Sequence, residues 1–176
     1  MDFEILKQQI EDATKKAFIE MHELHGSENI YAFALYSDEG AMTVCPSTNT
    51  LTALEAHAND DEQEYYKFEP AEWKYEMQGA NDEFNKICKD LRDELYANEE
   101  NEAWFDHFQK SLFDTCIDVL EKLKSENFFQ KIIGKDIFLF FTISDYDFKK
   151  KDIKAIVEKL NDNSYKDEYL AWMKSW

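Results

Sequence analysis

Glycine is scarce in this chain: Gly26, Gly40, Gly79 and Gly134 are the only four. A dinucleotide-binding fingerprint and a phosphate-cradling P-loop both need glycines close together in one short loop, so neither can be built here. Long apolar runs are missing too. The longest, around "IFLFF" at 137–141, falls far short of the roughly 18 residues that a membrane helix takes. The opening "MDFEILKQQIEDATKKAF" carries acids from Asp2 onward and no unbroken apolar core, which speaks against a secretory or mitochondrial leader. Cysteine is limited to Cys45, Cys88 and Cys116, an odd number with no CxxC pair. The expected compartment is a reducing cytoplasm.

Positive charge is also short. The formal net charge is −18, and residues 1–110 hold 26 acids against 9 bases while residues 111–176 hold 12 against 11. The excess is therefore concentrated in the first two thirds, with dense runs at "NDDEQE" (59–64) and "NEENE" (98–102). Such a field repels nucleic acid and anionic membrane and speeds encounter with a basic protein. It also keeps a protein soluble, and many acidic proteins need no basic partner. The candidate partner-binding residues are Asp60, Asp61, Glu62, Glu64, Glu99, Glu100 and Glu102, with Trp73 and Trp104 as aromatic anchors near them in sequence.

What is present is enough to fold. Hydrophobic residues make up 44% of the 176, with 14 Phe and 9 Tyr, too rich for a disordered acidic chain and suited to one domain spanning 1–176. Phe3, Leu6, Ile10, Ala13, Ala17, Met21 and Leu24 step at helical spacing, with Gly26 as the stop. In "IYAFALYSDEGAMTVC", Tyr31, Phe33 and Leu35 alternate with Ala32 and Ala34, the expected pattern of a strand. "SDEG" is turn chemistry with Gly40 in the left-handed position, and "AMTVC" returns as the partner strand. Pro46 would end that strand, and Ser47 or Thr48 would cap a short helix. An acidic loop then leads into an extended "YYKFEP", and "PAEWKYEM" begins a short helix that Gly79 breaks. Two longer helices follow, one through Phe84, Ile87, Leu91 and Leu95, the other from Trp104 to Leu123 as the central packing element. "DIFLFFTIS" (136–144) is apolar on both faces, as an interior strand should be. Ile153, Ile156, Val157 and Leu160 mark one last amphipathic helix, and Tyr165, Tyr169, Trp172, Met173 and Trp176 an aromatic stripe. The expected class is α+β, a single domain with a small, mostly antiparallel sheet packed against several helices.

Chemistry is harder to find. His22 and His25 stand three apart on the first helix, but no HExxH or Cys/His cluster joins them, so no metal is expected. Cys45 ends a strand where an adjacent helix start would lower its pKa, and with Ser47 and Thr48 it forms a rim able to take a small ligand or act as a nucleophile. Packing as a small hydrophobe is the favoured reading of that cysteine. Glu72 and Glu76 share a face if "PAEWKYEM" is helical. "KKKD" at 149–152 is too short a basic run to imply nucleic acid. No catalytic residue and no cofactor is assigned.

At "YAFALYSDEGAMTVCPSTNT" and "YYKFEPAEWKYE" the chain resembles a bacterial family, domain of unknown function 4303. The order of N-terminal helix, hairpin, Pro-Ala-Glu-Trp segment, helices and late "FFTISD" strand is similar as well. The resemblance covers most of the chain and lends no activity or catalytic residue. Two readings stay open: a binding protein for a basic partner, such as an immunity protein covering a toxin, and an intracellular scaffold or regulatory module. A small-ligand protein or enzyme using the rim near Cys45 is a third.

Overall fold

The computed structural model describes residues 1–98, 101–144 and 149–175. Helix α1 (Phe3–His25) starts where the Asp2 carboxylate accepts the amides of Glu4 and Ile5, at 2.9 and 3.2 Å. Its apolar face, Leu6, Ile10, Ala13, Ala17 and Met21, is buried at the predicted spacing. A 3-10 turn (Gly26–Glu28) continues beyond it, and the left-handed residue that reverses the chain is Asn29 (φ 63°), not Gly26.

Strand β1 (Ile30–Asp38) is the centre of the molecule. Strand β2 (Cys45–Thr50) pairs with it antiparallel, a two-residue β3 (Tyr75–Glu76) pairs antiparallel with β2, and β4 (Phe138–Ser144) runs parallel to β1 on the other side. The order β3-β2-β1-β4 makes β4 an edge strand rather than an interior one. Its both-faces apolar pattern reports the helices above and below it: Phe141 packs on Phe113, while Phe138 and Phe140 pack on Tyr169. The domain is α+β, as its patterning predicts.

The hairpin departs from expectation in four places. Residues 39–44 stay a loop, because the Asp38 carboxylate accepts both the Met42 amide and the Thr43 hydroxyl, and the left-handed residue there is Ala41 (φ 54°) instead of Gly40. The second strand begins at Cys45 and runs through Pro46 to Thr50. Proline is tolerated because Met77 donates to the Pro46 carbonyl. A residue's N and C=O point the same way in a strand, so the missing donor faces the short β3 edge. Thr50, not Ser47 or Thr48, caps helix α2 (Leu51–Glu55) by accepting the Ala53 amide at 3.1 Å. Finally, the β1–β2 register slips between Ile30 and Ala32. Tyr31 at the slip stacks on Tyr165, whereas Phe33 packs edge-on to Phe18 of α1. A regular strand would have put both rings on one face.

Helix α3 (Gln63–Phe68) replaces the expected extended segment, and "PAEWKYEM" splits into a 3-10 turn (Pro70–Glu72) and β3, so Glu72 and Glu76 share no helix face. Helices α4 (Asn81–Ala97) and α5 (Glu102–Ser125) follow the predicted stripes, and α5 packs against α1 and both long strands β1 and β4. Then come α6 (Phe128–Ile133), α7 (Lys150–Leu160), and α8 (Ser164–Met173), which carries Tyr165, Tyr169, Trp172 and Met173 of the aromatic stripe; Trp176 lies outside the described residues. Gly79 (φ 96°) brings the chain against α1 so closely that a Cβ there would lie 2.9 Å from the Ala17 Cα. The next amide, Ala80, donates to Glu20 at 2.7 Å.

The edge of β4 is closed by a side chain. Asn161, just past α7 and 1% exposed, accepts the Leu139 amide at 2.8 Å and donates to the Leu139 carbonyl at 2.7 Å, as a neighbouring strand would. Replacing Asn161 by Ala leaves both buried groups unpaired. We expect Asn161→Ala to lose about 2–5 kcal/mol of stability, read from urea unfolding; a change within error would show that Leu139 finds other partners.

Candidate functional site

The acidic run at 59–64 comes to lie beside the first turn of α3. That helix is held at its C-terminal end by the core: the Tyr31 hydroxyl donates to the Lys67 carbonyl at 2.8 Å, and Phe68 is buried against Phe138, Tyr169 and Trp172. Between α3 and α8 opens a groove of about 1000 Å³. Tyr65, Phe68 and Trp172 form its apolar floor, and Asp61, Glu62 and Glu64 stand along one side. All three carboxylates are exposed, and none makes an ion pair among the described residues. On the opposite side Glu168 is engaged by Lys67. Partial burial, and then the charges of Glu72, Glu69 and Glu62, push the Tyr65 hydroxyl above its ordinary pKa. Asp60 does not join: it is bonded to His57 Nδ1 at 2.8 Å, and that ring stacks on Tyr66.

The second acidic run borders a different groove. Trp104 and Glu102 lie on the first turn of α5, where Asn101 caps the helix by accepting the Trp104 amide at 3.0 Å. Trp104 stacks on Phe108 with centroids 4.8 Å apart. Together with Met42, Tyr96 and Phe105 it lines a more apolar groove of about 530 Å³, with Glu102 and Asp106 also lining it. Met42 and Tyr96 are 40% and 61% exposed. Glu99 and Glu100 lie outside the described residues. One groove sits near the start of β1 and the other past its end, so roughly 25 Å of strand separates them. The two acidic runs do not form a single surface.

Trp73 serves neither groove. It is 3% exposed and part of the core. The rim imagined at Cys45, Ser47 and Thr48 is likewise enclosed: all three are buried within the sheet, and Ser47 donates to the Pro70 carbonyl at 2.8 Å. The interaction with Cys88, and then burial, raise the Cys45 thiol far above its ordinary pKa, so it does not rest as a thiolate ready to attack a substrate. Among the described residues, no group of three or more His, Cys, Asp or Glu is arranged to hold a metal ion, and no helix is long and apolar enough to cross a membrane.

Sequence reading did not find the densest polar cluster, which centres on Glu28. Its carboxylate accepts from the Tyr75 hydroxyl (2.6 Å), Lys74 Nζ (3.1 Å) and the Thr50 hydroxyl (3.3 Å), with His25 Nδ1 at 3.1 Å. His25 also stacks on Tyr75 at 3.9 Å. The residue types suit acid–base chemistry, but the pKa does not. The Tyr75 bond, reinforced by Lys74 and His25, outweighs desolvation and holds Glu28 at about 2, too weak a base to take a proton near neutrality. The cluster is a tie between the end of α1, β2 and β3.

The model of the family named domain of unknown function (DUF4303) matches residues 10–162. The chain belongs to that family. No curated protein and no solved structure matches it.

The Glu28 tie has a pH signature. A carboxyl whose pKa is depressed on folding contributes fully above its ordinary value near 4.5 and loses that contribution as pH falls toward about 2. Glu28→Gln should be less stable than the natural protein at neutral pH, and the gap should close through that window. A gap independent of pH, in urea melts of both proteins, would assign the loss to packing.

Proposed function

We propose that this member of the DUF4303 family is a binding protein that captures a basic protein partner through the groove between α3 and α8, and that it catalyses no reaction. One observation carries the reading: Asp61, Glu62 and Glu64 stand exposed, and without ion pairs among the described residues, beside the rings of Tyr65 and Trp172, with buried Phe68 beneath them. Carboxylates steer a cationic partner and aromatic faces then hold its lysine or arginine side chains by cation–π contact. Lys67 over the Phe68 and Tyr165 rings, at 5.3 and 5.5 Å, is an internal instance of that contact at the same place. The net charge of −18 adds a long-range attraction of the same sign.

The partner chemistry this reading favours is that of a basic toxin, which makes the protein a neutralising immunity protein of the cytoplasm. Three free cysteines accord with that compartment. An intracellular scaffold would use the same groove without inhibiting anything, and only the partner's identity separates the two.

Capture from native lysate at about 50 and about 500 mM salt brackets weak and strong screening. We expect a basic protein to be retained at low salt, reduced at high salt, and lost with the triple variant Asp61→Lys, Glu62→Lys, Glu64→Lys. The association rate of the purified pair should fall at least about tenfold in that variant. Equal capture by the triple variant would overturn the groove assignment. Loss instead with Glu102→Lys and Asp106→Lys would move the interface to the Trp104 end.

A further inference from the structure

The fold brings two of the three cysteines together. Cys88, on the second turn of α4, lies against the backbone just before β2: its sulfur accepts the Val44 amide and faces the Val44 carbonyl, each at 3.4 Å. The next residue is Cys45, so Cys88 reaches the backbone one residue away from it, close enough for the two thiols to shift each other's acidity. No disulfide joins them. Hydrophobic packing alone does not ask for this, since a lone buried cysteine fills space without a polar partner. Cys116, fully buried on α5, also feels the charge of Cys88 but has no hydrogen bond with it among the described residues. Cys45 and Cys88 are 6% and 7% exposed, covered but not sealed.

The pair is also divided electrostatically. The interaction with Cys45, the Val44 amide and the positive charge of Arg92, one turn along α4, draw the Cys88 thiol below its ordinary pKa despite its burial. Cys45 is driven the opposite way. The Val44 amide, donating to the Cys88 sulfur, makes Cys88 the better placed of the two to carry thiolate character.

We propose that Cys88 and Cys45 are a peroxide-oxidisable dithiol, with Cys88 the attacking sulfur and Cys45 the resolving one. The Cys88 thiolate attacks one oxygen of hydrogen peroxide and the O–O bond breaks. The departing hydroxide takes up a proton and leaves as water, and Cys88 becomes a sulfenic acid. The Cys45 sulfur then attacks the Cys88 sulfur as its own proton leaves. The S–S bond forms, the S–O bond breaks, and hydroxide departs with that proton as a second water. Two thiols are oxidised and one peroxide is reduced to two waters. The bond ties the first residue of β2 to α4, beneath the 39–44 loop whose Gly40 and Met42 line the Trp104 groove. This inference is independent of the partner-binding reading.

The test uses the full chain, treated with hydrogen peroxide and then alkylated under denaturing conditions. We expect the monomer's intact mass to fall by about 2 Da before alkylation, a Cys45–Cys88 linked peptide, full alkylation of Cys116, and reversal by dithiothreitol. In Cys45→Ser the oxidation should stop at a Cys88 sulfenic acid that dimedone traps, and in Cys88→Ser dimedone should label nothing at the same dose. An unchanged wild-type mass, or a link through Cys116, would overturn the proposal whether or not the variants fold. Dimedone labelling of Cys45 in folded Cys88→Ser, at the Cys88 rate, would overturn the assignment of roles.

Discussion

Burying β1 sets the problem that the rest of the chain solves. Ile30 to Ser37 are all buried, so every amide and carbonyl along them needs a partner inside the protein. β2 and β4 supply those partners, and each then presents an outer edge of its own. β2 is finished by the two residues of β3 and by the Met77 amide bond to the Pro46 carbonyl. β4 is finished at Leu139 by Asn161, while Asn163 reaches the Ile137 carbonyl at 2.9 Å. A small sheet is thereby enclosed within a largely helical molecule without leaving long bare edges.

The helices were legible because their apolar residues recur at a spacing that only a helix turns into one face. The class and the first hairpin strand followed from β-type alternation, whereas the second strand, expected over 41–45, lies at Cys45–Thr50. What was not legible depended on contacts between distant residues. Nothing near Pro46 announces that its missing donor will fall on the β3 side, or that Asp38 will gather Met42 and Thr43 and so shorten the strand. The all-apolar "FLFFTIS" implied coverage on both faces, which is true, but coverage by helices does not require a strand on each side. Asn161, which closes that edge, looks in sequence like any loop asparagine.

The candidate site divides the same way. Charge density marked Asp61, Glu62 and Glu64, and an acidic run at a chain surface needs no tertiary knowledge to be exposed. Their aromatic floor was visible only in part: Trp172 belonged to the C-terminal stripe, but that α8 would face α3 is a property of the fold. Trp73 shows the converse, an aromatic chosen for its neighbours in sequence and enclosed by its neighbours in space. The Glu28 cluster draws on α1, β2 and β3 at once, so no local pattern could have signalled it.

The contact between Gly79 and Ala17 sets a rule for how this chain can change over generations. Because the two backbones meet with no space for another carbon, neither position is free to drift by itself. Enlarging either side chain would push α1 away from the segment that leads into α4 and break the Ala80–Glu20 bond beside it. The pair should therefore be inherited as one character, small at both places or altered at both together, however far the acidic surfaces around it diverge.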